Sequence, residues 1–145
     1  MEQQSDIRWL QRYSNFHKAC KRLIEVTESD TSDDLSELEQ EGLIQRFEYT
    51  FELSWKVMQD LLIYKGYEFM VGPNGTLKMA FEDGLISDHD GWRQMAKSRN
   101  MLSHVYDEEE ANAIVRLIFS QYAPLLKSLD EKLEHLSKDK EYLQP

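Results

Sequence analysis

The residues with the most to offer chemically stand close together: Arg99, Asn100, His104 and Tyr106, in the segment RQMAKSRNMLSHVY from Arg93 to Tyr106. Such a set suits phosphodiester cleavage without a metal. A histidine that titrates near neutrality can take the proton from a ribose 2′-OH or supply one to the leaving group. An arginine can hold the phosphate bidentately and stabilise the charge that grows on it in the transition state. Arg93 and Lys97 add a small basic cluster and are candidates for contact with phosphate or RNA. Helical spacing sets Trp92, Met95, Arg99, Leu102 and Tyr106 on one stripe, at steps of 3, 4, 3 and 4, so Arg99 is expected on a packing face. A guanidinium there must be paired or must line a polar cleft, because an isolated buried charge is costly. Asn100 and His104, four apart, share a neighbouring face. Residues five apart on an ideal helix are rotated by roughly 140°, so Arg99 and His104 converge only where the helix ends or a second subunit contributes. An Arg99 paired to a glutamate, with His104 as a helix C-terminal cap, accounts for the same residues, and spacing alone leaves that alternative open.

Metal and nucleotide-loop chemistry find less support. A di-iron helical bundle needs Glu-x-x-His on two helices, but Ser14, Ile86, Met101 and Lys132 stand three residues before His17, His89, His104 and His135. His17 and His135 read as ordinary helix-surface residues, and Asp88-His89-Asp90 as an exposed acidic turn. GPNGTLKMA is not a P-loop, because Gly72 and Gly75 stand too close and Lys78 is out of register; it reads as a turn leading into a helix. No metal ligand set and no cofactor are expected.

The elements that position the cluster follow from apolar periodicity. Trp9, Tyr13, Phe16, Cys20 and Leu23 recur at helical steps between Ile7 and Val26. The acidic stretch from Glu28 to Ser36 reads as a loop. A second helix starts between Leu38 and Leu43 and runs to Tyr64, on a wide stripe of Ile44, Phe47, Phe51, Trp55, Met58 and Leu62. Gly66 stops it. A short helix is expected over about Leu77 to Asp83, closed by Gly84. Ser87 or Asp88 can cap a fourth helix that starts near Trp92, and Asp107 with Glu110 makes a capping-box-like start to a fifth. That last helix runs to about Leu136, with Pro124 bending or breaking it locally. Residues 137–145 are expected to fray.

The fold class expected is all-α: an antiparallel four-helix up-and-down bundle with one short extra helix, forming one domain over residues 1–145. Acidic residues outnumber basic ones 27 to 17, for a net charge of −10, and the pI is near 4.8. That balance argues against a general nucleic-acid coater, so contact with nucleic acid must be local. The single cysteine, Cys20, excludes an intramolecular disulfide and sits on the apolar stripe. With neither a signal core nor a membrane-length apolar run, the expected location is cytoplasmic.

The stretch RNMLSHVYDEE, Arg99 to Glu109, resembles the Arg-x4-His-x-Tyr motif of the HEPN superfamily in its HepT-like branch, also known as the nucleotidyltransferase substrate-binding proteins. The resemblance extends to LIQRFEYTFELSWKVMQDLL (Leu43 to Leu62) and to AFEDGLISDHDGWRQMAKSRN (Ala80 to Asn100). The GPNGT segment departs from the Ser-Pro-type opening of the family's short helix. The resemblance implies a homodimer whose two motif copies face a shared cleft, and a partner nucleotidyltransferase of the MNT type. It implies a metal-independent ribonuclease toxin of a toxin–antitoxin pair, with Arg99 and His104 catalytic and Asn100 supporting them. Tyr106 would be the acceptor of AMP from the partner, whose bulky anionic adduct would block the cleft. The alternative is a non-catalytic subunit that presents nucleotide or substrate to the nucleotidyltransferase. An intact Arg99/His104 pair favours the nuclease; the net charge favours the accessory subunit.

Overall fold

The helical periodicities produce helices and nothing else. Among the described residues, 2–104 and 107–139 of a computed structural model, there are six α-helices and no β-strand. They are α1 (Glu2–Ser29), α2 (Glu37–Tyr64), α3 (Gly72–Asp83), α4 (His89–Met101), α5 (Glu108–Leu117) and α6 (Ala123–Lys138). The all-α class is therefore as expected. None of these helices is long and apolar enough to cross a membrane.

Local chemistry sets the boundaries. Ser36 and Glu39 form a reciprocal capping box at the start of α2, with Glu39 N–H donating to Ser36 Oγ at 3.1 Å and Ser36 N–H donating to Glu39 Oε1 at 2.9 Å. α2 therefore begins before both expected start points. α3 also begins earlier, at Gly72 and not Leu77, because GPNG forms its first turn. Pro73 sits where the helix has no use for its missing N–H. At 12 residues α3 nearly equals the 13 of α4, so it is not the short extra element expected. Gly84 ends α3 at φ +87°, a left-handed conformation that a side chain would strain. Asp88 caps α4 by accepting from Gly91 N–H at 2.9 Å, and Asp107 caps α5 by accepting from Glu110 N–H at 2.8 Å.

The expected local break at Pro124 is present. A π turn, Ile118–Tyr122, joins α5 to α6, and Ala123 N–H reaches back to Ile118 O across the widened ring. The widening absorbs the hydrogen bond that proline cannot make. α6 ends at Lys138, two residues beyond the expected end. Residues 140–145 of the expected frayed tail lie outside the described residues.

One contiguous core joins the helices. Trp9, Phe16 and Leu23 of α1 meet Phe47, Phe51, Met58 and Leu62 of α2, with Leu77, Trp92, Met95, Leu126 and Leu133 supplied by the other helices. Cys20 is buried there as expected, and burial pushes its thiol up to about 12. His17 departs from its expected role as an ordinary surface residue. Its Nδ1 lies 2.9 Å from Asp130 Oδ1 and 3.0 Å from Oδ2, which ties α1 to α6. Asp130 is buried, and desolvation raises its carboxyl above the usual range despite the opposing pull of His17.

Phe47 is fully buried and stacks on Tyr122 at a centroid distance of 5.4 Å. Phe47→Ala is expected to cost about 3–5 kcal/mol in urea unfolding. A second expectation concerns pH. Because the folded-state pKa of Asp130 is raised, its favourable contribution is complete below the unfolded pKa of about 4 and is lost as pH rises through the folded value. Asp130→Asn removes that loss, so its unfolding midpoint relative to wild type should climb as pH is raised above about 4. A constant difference across pH would show that this carboxyl does not carry the dependence.

Candidate active site

The register of α4 is set by what it buries: Trp92, Met95, Ala96 and Ser98. Ser98 is the unusual member, a hydroxyl in an apolar setting. Its Oγ lies 2.6 Å from the hydroxyl of the fully buried Tyr122, which also donates to Gln94 O at 3.4 Å. Burial raises the Tyr122 phenol, which therefore stays neutral and available for both contacts. With Ser98 turned inward, the next residue, Arg99, lies about 100° round the helix and comes to the seam with α2. Arg99 is therefore half-buried at an edge and not on the buried face that the apolar stripe suggested.

At that seam Arg99 Nη2 stands 3.8 Å from Glu52 Oε2, with both side chains about one third exposed. The pairing partly realises the alternative of an arginine held by a glutamate, but at long range and with solvent access. A cleft of about 280 Å³ opens beside it, lined by Glu52, Trp55, Asn74, Ala96, Arg99 and Asn100 among others. Two of these side chains carry a buried donor with no hydrogen-bond partner: Arg99 Nε and Trp55 Nε1. A buried unsatisfied donor costs about 1–3 kcal/mol, so two at one cleft call for an acceptor. A phosphate in the cleft faces the exposed part of the Arg99 guanidinium, and it reaches Nε and Trp55 Nε1 only if those side chains turn, because both atoms are themselves shut off from solvent. Lys56 Nζ lies 5.9 Å from the centre of the Trp55 ring and adds positive potential nearby.

α4 ends at Met101, and a 3-10 turn carries Leu102–His104. The α-helix thus ends between Arg99 and His104, and His104 is not among the residues that line the Arg99 cleft. His104 is exposed at the end of this turn, and Asn100 is exposed while lining the cleft. Tyr106 lies outside the described residues. Arg93 and Lys97 are exposed on α4 and do not line the cleft. Among the described residues, no three His, Cys, Asp or Glu side chains stand together in a group that could hold a metal ion. Leu102 of the 3-10 turn also lines an acidic groove of about 340 Å³, with Glu37, Glu41, Ile44, Asp107 and Glu108.

Sequence reasoning did not single out Glu52, Trp55, Asn74 or Ser98 as site residues. Trp55 stood on the wide apolar stripe of α2, where an aromatic is indistinguishable from core. Asn74 belonged to a segment read as a turn, and nothing local to Ser98 announces that a tyrosine 24 residues away reaches it.

Comparison with known proteins places this geometry in a family. Residues 11–135 match the family described as "Nucleotidyltransferase substrate binding protein like". A protein of Haemophilus influenzae (strain ATCC 51907 / DSM 11121 / KW20 / Rd), named probable ribonuclease HepT, is 32% identical over 105 residues, covering 70% of this chain and 69% of that one. A crystal structure of a Thermus thermophilus protein superposes with a TM-score of 0.70 at 32% identity, covering 86% of this chain and 99% of the other. The match over residues 11–135 and the shared identity show that this chain belongs to the HepT-like family of nucleotidyltransferase substrate-binding proteins.

Proposed function

We propose that this protein is a metal-independent endoribonuclease of the HEPN type, the toxin of a toxin–antitoxin pair with an MNT-type nucleotidyltransferase. The observation that carries the reading is the partly exposed Arg99 in a cleft that Asn100 also lines, with Arg99 Nε and Trp55 Nε1 left without hydrogen-bond partners. In the proposed reaction His104 takes the proton of a ribose 2′-OH, whose oxygen attacks the adjacent phosphorus. The bond to the 5′-oxygen breaks, and that oxygen leaves with a proton supplied by a second acid. The products are a 2′,3′-cyclic phosphate and a 5′-hydroxyl. Arg99 holds the phosphate and stabilises its growing charge, and Trp55 adds a neutral donor. A homodimer of antiparallel bundles, with two motif copies facing one cleft, would provide the second acid from the partner's histidine. Tyr106, two residues beyond His104, is the proposed acceptor of AMP, by which the nucleotidyltransferase silences the toxin. The chain acts as a single cytoplasmic domain and needs no cofactor.

A second reading is a non-catalytic subunit that presents nucleotide or substrate to the nucleotidyltransferase. The acidic groove lined in part by Leu102 favours it, because four carboxylates there repel RNA and suit a basic protein surface. In the nuclease reading the same groove is where the antitoxin docks.

Cleavage of single-stranded RNA by the purified chain tests the choice. Wild type should cleave in EDTA and leave cyclic phosphate ends. His104→Ala and Arg99→Ala should each lose about 10²–10⁴-fold in kcat. Trp55→Phe, which keeps the ring and removes the donor, should lose about tenfold. Growth arrest on induction should follow the same order, and co-expressed nucleotidyltransferase should relieve it with a mass gain on Tyr106. A chain that cleaves nothing and binds the nucleotidyltransferase unmodified would establish the accessory reading. Light scattering at micromolar concentration should give the mass of a dimer; a monomer would remove the shared cleft.

A further inference from the structure

A second groove lies on the opposite flank of α2 from the Arg99 cleft. It is the larger of the two, about 460 Å³, and runs between α1 and α2. From α1 it is lined by Asn15, Lys18 and Arg22, and from α2 by Gly42, Arg46 and Tyr49 among others. The spacings on the two helices match, at three and four residues, so each helix presents one continuous face along about 10 Å of its length.

Its charge is out of keeping with the chain. Acidic residues outnumber basic ones 27 to 17 overall, yet three cations and no carboxylate line this groove among the described residues. Lys18, Arg22 and Arg46 are all exposed. Arg46 Nη1 donates to the backbone carbonyl of Arg22 at 3.2 Å, which holds the guanidinium across the groove and leaves its other donors for a ligand. Nothing stands within 4 Å of where a Cβ on Gly42 would be, so the floor stays open there. Tyr49 is 61% exposed, a large aromatic face left in solvent at the rim.

Cations along a track with an aromatic at the edge form a recurring arrangement for single-stranded nucleic acid, in which the cations follow the backbone and the ring stacks a base. A length of about 10 Å spans two or three consecutive phosphates of one strand. An open groove of this shape suits a linear polymer better than a mononucleotide, which is held in an enclosing pocket. Tyr49 and Glu52, three residues apart on α2, are neighbours on the ridge that separates groove from cleft. A strand seated in the groove therefore passes over Tyr49 toward Arg99.

We propose that the groove lined by Lys18, Arg22, Arg46 and Tyr49 binds a single-stranded RNA segment adjacent to the one cleaved. The assignment of RNA rests on the ribonuclease reading above; the groove itself rests on its own residues. It also resolves how so acidic a chain gathers an anionic substrate, through a local track that the net charge conceals.

The test uses the full chain and a short fluorescein-labelled 2′-O-methyl oligouridylate, which has no free 2′-OH and reports binding independently of cleavage. Fluorescence anisotropy should show affinity falling with salt, with a logarithmic slope near about −2 for three neutralised phosphates. Lys18→Ala and Arg22→Ala should each reduce that slope by about 0.7. Tyr49→Ala should weaken binding about tenfold or more through lost stacking. Lys21→Ala, an exposed lysine of α1 outside the groove, should bind as wild type. With cleavable RNA, the groove variants should raise KM. Groove variants that bind like wild type, or affinity that rises with salt, would overturn the proposal. Oligonucleotide binding that follows the groove residues in a chain that never cleaves RNA would uphold the groove and sink the nuclease. Cleavage with KM and binding untouched by the groove variants would do the reverse.

Discussion

The hydrogen bond between Tyr122 and Ser98 is the contact on which the candidate site depends. It joins a π turn to the last turn of α4 inside an otherwise apolar core, at a separation of 2.6 Å. A buried hydroxyl without a partner is costly, so the two side chains hold each other in one register. That register turns Ser98 inward and leaves Arg99 at the seam with α2, where it meets Glu52 and lines the cleft. The π turn is part of the same device. By absorbing the missing hydrogen bond of Pro124, it lets Tyr122 stack on Phe47 and reach Ser98 while the chain continues as α6.

Electrostatics divides the surface more finely than the net charge suggests. Four carboxylates line the groove to which Leu102 of the 3-10 turn contributes. Two unpartnered donors, Arg99 Nε and Trp55 Nε1, mark the cleft at the seam of α4 with α2, and a groove with no carboxylate among its described lining residues follows beyond the ridge of α2. Opposite fields only a helix-width apart can serve an anionic substrate and a cationic protein partner at once. Screening over about 8–10 Å at physiological salt keeps the two from cancelling.

Much of the architecture was legible from the residues. Steps of three and four along Trp9 to Leu23 and along Phe47 to Leu62 have only a helical solution, and Gly84, Asp88 and Asp107 mark helix ends because each supplies a backbone conformation or an acceptor that a helix end requires. GPNG misled because glycine and proline signal a turn equally well when they open a helix. His17 was read as surface because nothing within a helical turn of it pairs with a histidine, and its partner, Asp130, is 113 residues away.

What the sequence by itself determined is the list of chemical groups and the local structure that carries them: helices throughout, a helix end between Arg99 and His104 permitted by their spacing, and a family membership written in the motif. Tertiary structure decided which of those groups meet. Trp55 became a cleft residue, Ser98 an anchor and Lys18, Arg22 and Arg46 a common track only when distant helices packed side by side. Periodicity records which face of a helix is apolar, but not which helix lies against it. A site assembled across helices is therefore fixed by packing, which depends on the whole core at once.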